Sequence, residues 1–344
     1  MRVLLVKLSS LGDVVHSFPA LTDAARALPG VEIDWLVDEA FAPLARLHPA
    51  VRDVIGLPIR RMKKTPRAAF GDLRDALHRL RGKRYDVIID AQGLVKSAIA
   101  GRFARGGRRH GFSRETAREG LAAFTYHVGH AIPEVEHMAE RIRRLFAASL
   151  GYPMPETAAD AGLDRTSIAG VAAGRPYLVF IHGTTWPTKT WTVAGWRALA
   201  REAAASGRDV LLFAQGDAER ARVSAIADGL SGVHRMPPGR LEKVIPILAG
   251  ADAVVTVDTG LGHLAAAFDL PTVGLYGPTN PGLTGLVGAR VHECVGRLPC
   301  APCEKTTCAL KPDFGEGPPC LADHQPREVW RAVEELIQAS GGSR

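Results

Sequence analysis

The stretch RVLLVKLSSLGDVVHSFPAL, residues 2–21, decides the fold. Val3–Val6 form an apolar run that reads as a buried strand, the Ser9-Ser10-Leu11-Gly12 segment as a turn, and residues 13–28 as a helix. Strand, glycine turn and helix in this order are the unit of an α/β fold with a parallel sheet. Such a turn usually cradles phosphate, because the helix N-terminus presents unpaired N–H groups and a positive dipole end. Here the helix opens on a carboxylate, Asp13, which repels an anion. Either the turn binds something else or Asp13 does chemistry, with a plain helix cap as the alternative.

The alternation continues. VEIDWLVD and VRDVIGLP read as strands, and Phe70, Leu73, Leu77 and Leu80 recur at helical spacing over 67–81. YDVIIDAQG reads as a strand ending in a turn, with LVKSAIAGRFA a helix after it. Residues 151–175 are rich in Gly, Pro and Ala with little periodicity, which places an interdomain connection there. The pattern then restarts with PYLVFIHG, DVLLFAQG, DAVVTVDTG and PTVGLYG as strands separated by helices. The expected architecture is two doubly wound Rossmann-like domains, 1–160 and 161–325, followed by a terminal helix over 326–344 that packs back on the first domain. Ligands of such folds bind beyond the C-terminal ends of the strands, so the motif turns should converge on an interdomain cleft.

Composition bounds the function. The chain has 344 residues, 46% of them hydrophobic, enough for two ordinary cores. No apolar run reaches the ~18 residues of a membrane helix, and the N-terminal run ends at Lys7, short of a signal peptide; a cytoplasmic protein is expected. Residues 1–160 hold 25 Lys and Arg against 18 Asp and Glu, whereas the rest balances at 18 and 18. The net charge of +7 thus lies wholly in the first half, which should face an acidic partner. RRMKKTPR, residues 60–67, is its densest basic run, a solvated loop or an anion site, and Arg114 and Arg118 add to it. No aromatic interleaves with the run, so nucleic acid is not the expected partner.

In the second half, VDTGLGH, residues 257–263, is the densest motif. Thr259 and the N–H groups following Gly260 lie at a helix N-terminus suited to a pyrophosphate, and His263 can add a donor. Asp258 would orient the loop or bind a sugar hydroxyl. HGTTWPTKTW, residues 182–191, offers Thr184, Thr185 and Lys189 after a strand, while Trp186 and Trp191 read as packing. No P-loop and no G-x-G-x-x-G after a strand occurs, which disfavours nucleotide hydrolysis and dinucleotide redox chemistry. With phosphates assigned to the second domain, the Ser9, Ser10 and Gly12 turn is free to hold an acceptor hydroxyl, and Asp13 can take its proton.

These segments have a family likeness. VKLSSLGDVVHSFPALTDA, YDVIIDAQGLVKSA, GTTWPTKTW and VDTGLGHLAAAFDLPTVGLYGPTNPGLTG together resemble the bacterial lipopolysaccharide heptosyltransferases over nearly the whole chain. HGFSRETAREGLAAFTYHV and RIRRLFAASLGYP resemble the members that add the first L-glycero-D-manno-heptose to Kdo of Kdo2-lipid A. The resemblance implies a GT-B fold, ADP-heptose as donor, inversion at the anomeric carbon, no cofactor or catalytic metal, and a monomer acting peripherally on the cytoplasmic face of the anionic inner membrane. It implies Asp13 as general base. Thr184, Thr185 and Lys189 would bind the donor phosphates, Asp258, Thr259, Gly260 and His263 the ADP and heptose, and Glu219 and Met236 would lie near the adenosine. Arg60, Arg61, Lys63, Lys64 and Arg118 would meet acceptor phosphate or the Kdo carboxylate. The cysteine segment CVGRLPCAPCEKTTC, with Cys320 later, resembles instead the members that add the second heptose, which keeps that activity, or another ADP-heptose-dependent transfer, as the alternative. A single Cys-x2-Cys pair leaves Cys294, Cys300, Cys303, Cys308 and Cys320 open between reduced thiols, a disulfide and a structural zinc site.

Overall fold

The computed structural model describes residues 1–168, 175–311 and 317–341; residues 169–174 of the expected connection lie outside the described residues. The chain divides into two units, Met1–Leu163 and Asp164–Arg344.

In the first unit, strands β1 (Arg2–Val6), β2 (Glu32–Asp38), β3 (Val51–Leu57), β4 (Arg84–Asp90), β5 (Arg105–Phe112) and β6 (Val128–His130) form one parallel sheet in the order β3-β2-β1-β4-β5-β6. The apolar run at Val3–Val6 takes the centre: Val3 pairs with Ile33 on one side and Val87 on the other, and all four side chains are fully buried. The helix expected over 13–28 is two, Leu11–Val15 and Phe18–Ala27. Pro19 stands in the first turn of the second, where its missing N–H breaks no ladder, so the chain restarts there. The basic run is no loop: Ile59–Lys64 is helical and Pro66–Arg81 follows it. That longer helix buries Ala69, Ala76 and Leu80, while Phe70, at the same helical spacing, is 64% exposed.

In the second unit, β7 (Tyr177–Ile181), β8 (Asp209–Leu212), β9 (Val233–Arg235), β10 (Ala253–Val257), β11 (Thr272–Tyr276) and β12 (Val291–Val295) form a parallel sheet in the order β12-β11-β10-β7-β8-β9. Counted from its own first strand this is again three-two-one-four-five-six, the Rossmann order. Trp191 and Trp196 pack edge to face with ring centroids 5.1 Å apart, and Phe180 lies 5.3 Å from Trp196. The terminal helix Pro326–Gly341 belongs to this core, where Val329, Trp330, Ala332 and Val333 are buried. Among the described residues no helix is long and apolar enough to cross a membrane.

In each sheet the first and fourth strands are neighbours whose chains leave in opposite directions. That switch point opens a crevice at the strands' C-terminal ends, and it is where the motif turns of each unit lie.

Candidate active site

In the first unit the turn after β1 meets the turn after β4. Leu8 N and Ser9 N donate to Gln92 Oε1 at 2.9 and 3.0 Å, which ties the two loops together. Lys7, its side chain only 2% exposed, donates from Nζ to the Ala91 carbonyl at 2.9 Å and lies 3.3 Å from Asp13 Oδ1. Asp13 Oδ2 accepts from Ser10 N at 2.8 Å and Ser10 Oγ at 3.0 Å, a capping box at the start of the helix. Cap and exposed carboxylate are therefore not alternatives: the side chain caps and is still 19% exposed. Burial pushes the Asp13 carboxyl up, but Lys7, the Ser10 N–H, His16 and the Ser10 hydroxyl together bring it down to about 2. It is ionised throughout the neutral range.

The β4 turn rests on Asp90, which is buried at the strand end. It accepts from Gln92 N at 2.8 Å, Ser97 Oγ at 2.9 Å and Tyr126 Oη at 2.8 Å. Lys96 Nζ reaches Ser9 Oγ at 3.3 Å. Glu119 N donates to the Gly93 carbonyl at 2.9 Å, which brings the exposed Arg118 alongside this turn. Gly93 has φ +67, and a Cβ there would press on Phe112 and the Arg118 backbone. Sequence reasoning missed Lys7, Gln92 and Lys96. The available signal was a lysine ending a fully apolar strand, since a buried ammonium needs partners.

The basic run divides. The Arg60 guanidinium stacks 4.5 Å from the Phe41 ring centre and reaches Asp38 only at 4.0 Å. Arg61 is held by Glu39 and by Asp72 at 2.7 Å, so its charge is already met. Lys63 and Lys64 are exposed.

In the second unit the turn after β7 meets the turn after β10. Lys189 Nζ lies 2.7 Å from Asp258 Oδ2 and 4.4 Å from the Trp186 ring centre. Trp186 is thus a platform for the lysine as well as packing. His263 Nε2 lies 3.5 Å from Asp258 Oδ1. Burial pushes the Asp258 carboxyl up, but His263 and Lys189 hold it well below the usual carboxylate range. Thr259 is the cap residue of the helix Gly260–Ala267. A Cβ at Gly262 would come 2.6 Å from the Thr256 side chain, so glycine lets this helix start close against β10. Thr184 is half-buried and Thr185 exposed in the loop after β7. Glu219 lies beside that loop: its carboxylate accepts from Gln215 N at 2.6 Å, and a Cβ at Gly183 would come 2.6 Å from Glu219 Oε1. Met236 follows β9 and donates from its N–H to the Leu212 carbonyl at 2.8 Å. His182 bonds the Phe213 carbonyl at 2.9 Å, and burial pushes its pKa down, so it sits as a neutral structural ring.

The five cysteines are free thiols. Cys300, Cys303, Cys308 and Cys320 line one cavity, and burial pushes the Cys320 thiol up to about 11. Among the described residues no three His, Cys, Asp or Glu are arranged to hold a metal ion.

Two Rossmann-like domains of this kind, each with its motif turns at the switch point, are the architecture of the GT-B class of glycosyltransferases. The family model for glycosyltransferase family 9 (heptosyltransferase) matches residues 73–313. Lipopolysaccharide heptosyltransferase 1 of Pseudomonas aeruginosa is 46% identical, covering 98% of this chain and 99% of the relative. Lipopolysaccharide heptosyltransferase 2 of Salmonella typhimurium is 26% identical over 83% of this chain and 85% of the relative. The solved structure of the E. coli heptosyltransferase WaaC with ADP has a TM-score of 0.85 and 40% identity, covering 98% of this chain and all of that one. The chain belongs to glycosyltransferase family 9, the heptosyltransferases.

Proposed function

We propose that this protein transfers L-glycero-D-manno-heptose from ADP-heptose to a hydroxyl of Kdo in Kdo2-lipid A, with inversion at the anomeric carbon. The first-heptose reading is favoured because the relative named for that step is 46% identical and the one named for the second is 26% identical. The observation that carries the chemistry is the ionised, partly exposed Asp13 held between Lys7 and Ser10.

In the proposed step an acceptor hydroxyl takes the place of Ser10 Oγ on Asp13. Its oxygen attacks the anomeric carbon as the bond to ADP breaks, and Asp13 takes the hydroxyl proton. A carboxyl held near 2 is a weak base. That suffices because the sugar carbon is oxocarbenium-like and demands little prior activation of the nucleophile. Lys7 keeps the carboxylate charged until the proton arrives. In the second domain, Lys189, His263 and the N–H groups at Gly260 stabilise the charge growing on ADP. Thr184 and Thr185 bind the same phosphates, Asp258 fixes Lys189 and His263, and Glu219 and Met236 flank the adenosine. Ser9, Ser10 and Gly12 shape the acceptor turn. Arg60, Lys63, Lys64 and Arg118 meet acceptor anions, whereas Arg61, paired with Glu39 and Asp72, acts by holding its helix. No cofactor enters the step. The enzyme works as a monomer on the cytoplasmic face of the inner membrane.

Incubation with ADP-heptose and Kdo2-lipid A should release ADP and add one heptose. Transfer only to an acceptor that already carries a heptose would assign the second-heptose step instead, and release of ADP from neither would end the proposal.

A further inference from the structure

The excess positive charge is more local than the basic run at 60–67 suggests. Residues 96–118 hold seven Lys and Arg against one Glu. Among the described residues none of these seven cations forms an ion pair, in contrast to Arg61. They repel one another instead: burial and then Arg102 push the Arg109 guanidinium pKa down, and burial with Arg109, Arg108 and Arg102 does the same to His127.

Next to this cluster lies an unusual set of exposed apolar side chains. Leu121 is 69% exposed and Phe124 70%. They stand three apart on the 3-10 turn Gly120–Thr125, where that spacing aligns side chains on one face. Ile99 and Phe103, 49% and 44% exposed, stand four apart at the end of the helix Val95–Arg102, on which the turn packs. Arg109 Nε donates to the Thr125 carbonyl at 2.9 Å, and the Arg114 guanidinium lies 5.5 Å from the Phe124 ring centre. Apolar side chains this exposed, with the Arg114 guanidinium over one of them and Arg102 and Arg105 beside Phe103 in the chain, suit neither open water nor a protein core. They match the boundary of an anionic bilayer, where rings and aliphatic groups enter the acyl edge and guanidinium groups meet lipid phosphates.

We propose that Ile99, Phe103, Leu121 and Phe124, with Arg102, Arg105, Arg109 and Arg114 around them, form a docking face for an anionic lipid bilayer. The face is joined to the acceptor turn by one helix. Lys96, in its first turn, holds Ser9, and Phe103 caps its far end. An eight-residue helix spans about 12 Å, so docking brings the turn within reach of a sugar headgroup standing on the same membrane. This inference rests on the proposed lipid-linked acceptor only for its purpose. The docking itself is measured without donor or acceptor.

The test is flotation of the full-length protein with vesicles of phosphatidylcholine alone or with phosphatidylglycerol added. The unaltered protein should float with the anionic vesicles and be released by salt. Leu121→Asp with Phe124→Asp should lower partitioning at least about tenfold, as should Arg102→Gln with Arg105→Gln and Arg114→Gln. Phe70→Asp, at an exposed aromatic outside this face, should not change it. With acceptor in detergent the Leu121/Phe124 variant should keep its turnover, whereas with vesicle-borne acceptor it should lose it. Absence of flotation by the unaltered protein, or equal flotation of the variant, would overturn the docking face. So would light scattering in which these substitutions convert a dimer to a monomer. A protein that floats as described but transfers no heptose would instead sink the functional reading and leave this face standing.

Discussion

The two switch points solve one problem in two ways. Each sets a lysine from the turn after the first strand against the turn after the fourth, and each pairs that lysine with a carboxylate. In the first domain the carboxylate, Asp13, comes from the same turn as its lysine and from the same helix start as Ser10. In the second, Asp258 comes from the fourth strand and meets a lysine 69 residues away. Asp13 is 19% exposed, with Lys7 its ion-pair partner, and Asp258 is 7% exposed, with Lys189 and His263 against its two oxygens. A carboxylate gripped by a lysine and an imidazole, with little exposure, has no room for a proton; it is a clamp that fixes the lysine. One with a single buried cation and an open edge can receive a proton from outside. On the proposed mechanism the same motif serves as a proton acceptor in one domain and a lysine holder in the other, by a change in where the carboxylate enters.

The largest expected effect breaks the first half of that contrast. Asp13→Asn keeps size and the Ser10 contacts but removes the basic oxygen pair, and turnover should fall by roughly 10²–10⁴ in a steady-state ADP-release assay. Next comes the clamp. Lys189→Met leaves the buried Asp258 with His263 alone. This should cost about 3 kcal/mol of stability by denaturant melts and should weaken ADP binding as well. Unchanged ADP affinity would remove Lys189 from the phosphate role. The smallest effect at neutral pH is expected from Lys7→Met. Asp13 is depressed in the folded chain, from 3.8 to about 2, so its stabilising contribution is full above pH 3.8 and is lost as pH falls through about 2. Without Lys7, burial raises the carboxyl, and both the acid limb of turnover and the acid unfolding transition should move to higher pH. A profile that overlays the unaltered protein would show that Lys7 does not set the charge of Asp13.

Much of this was legible because buried parallel strands write themselves as apolar runs. Val3–Val6 and Val254–Val257 could be nothing else. β5 could not be read that way: RGGRRHGF shows no apolar face, and it is a strand because its glycines let it approach β4, where a Cβ at Gly107 would come 1.9 Å from the Asp86 carbonyl. The short β6 and β9 and the half-exposed β12 carry too few buried residues to leave a pattern. Asp13, Lys189, Asp258 and His263 were visible as turn residues after strands. Lys7 and Gln92 were not, because their role depends on the switch point that places β1 beside β4. The pairing of Arg61 was not legible either: Glu39 and Asp72 neutralise it from elements that sequence distance does not connect.

The division of labour between the two turns is tested most directly by the ADP affinity of Asp13→Asn, measured by titration calorimetry beside that of Lys189→Met. The account predicts that the Asp13 variant binds ADP within about twofold of the unaltered protein while its turnover collapses. An Asp13 variant whose ADP affinity falls as far as that of the lysine variant would contradict it.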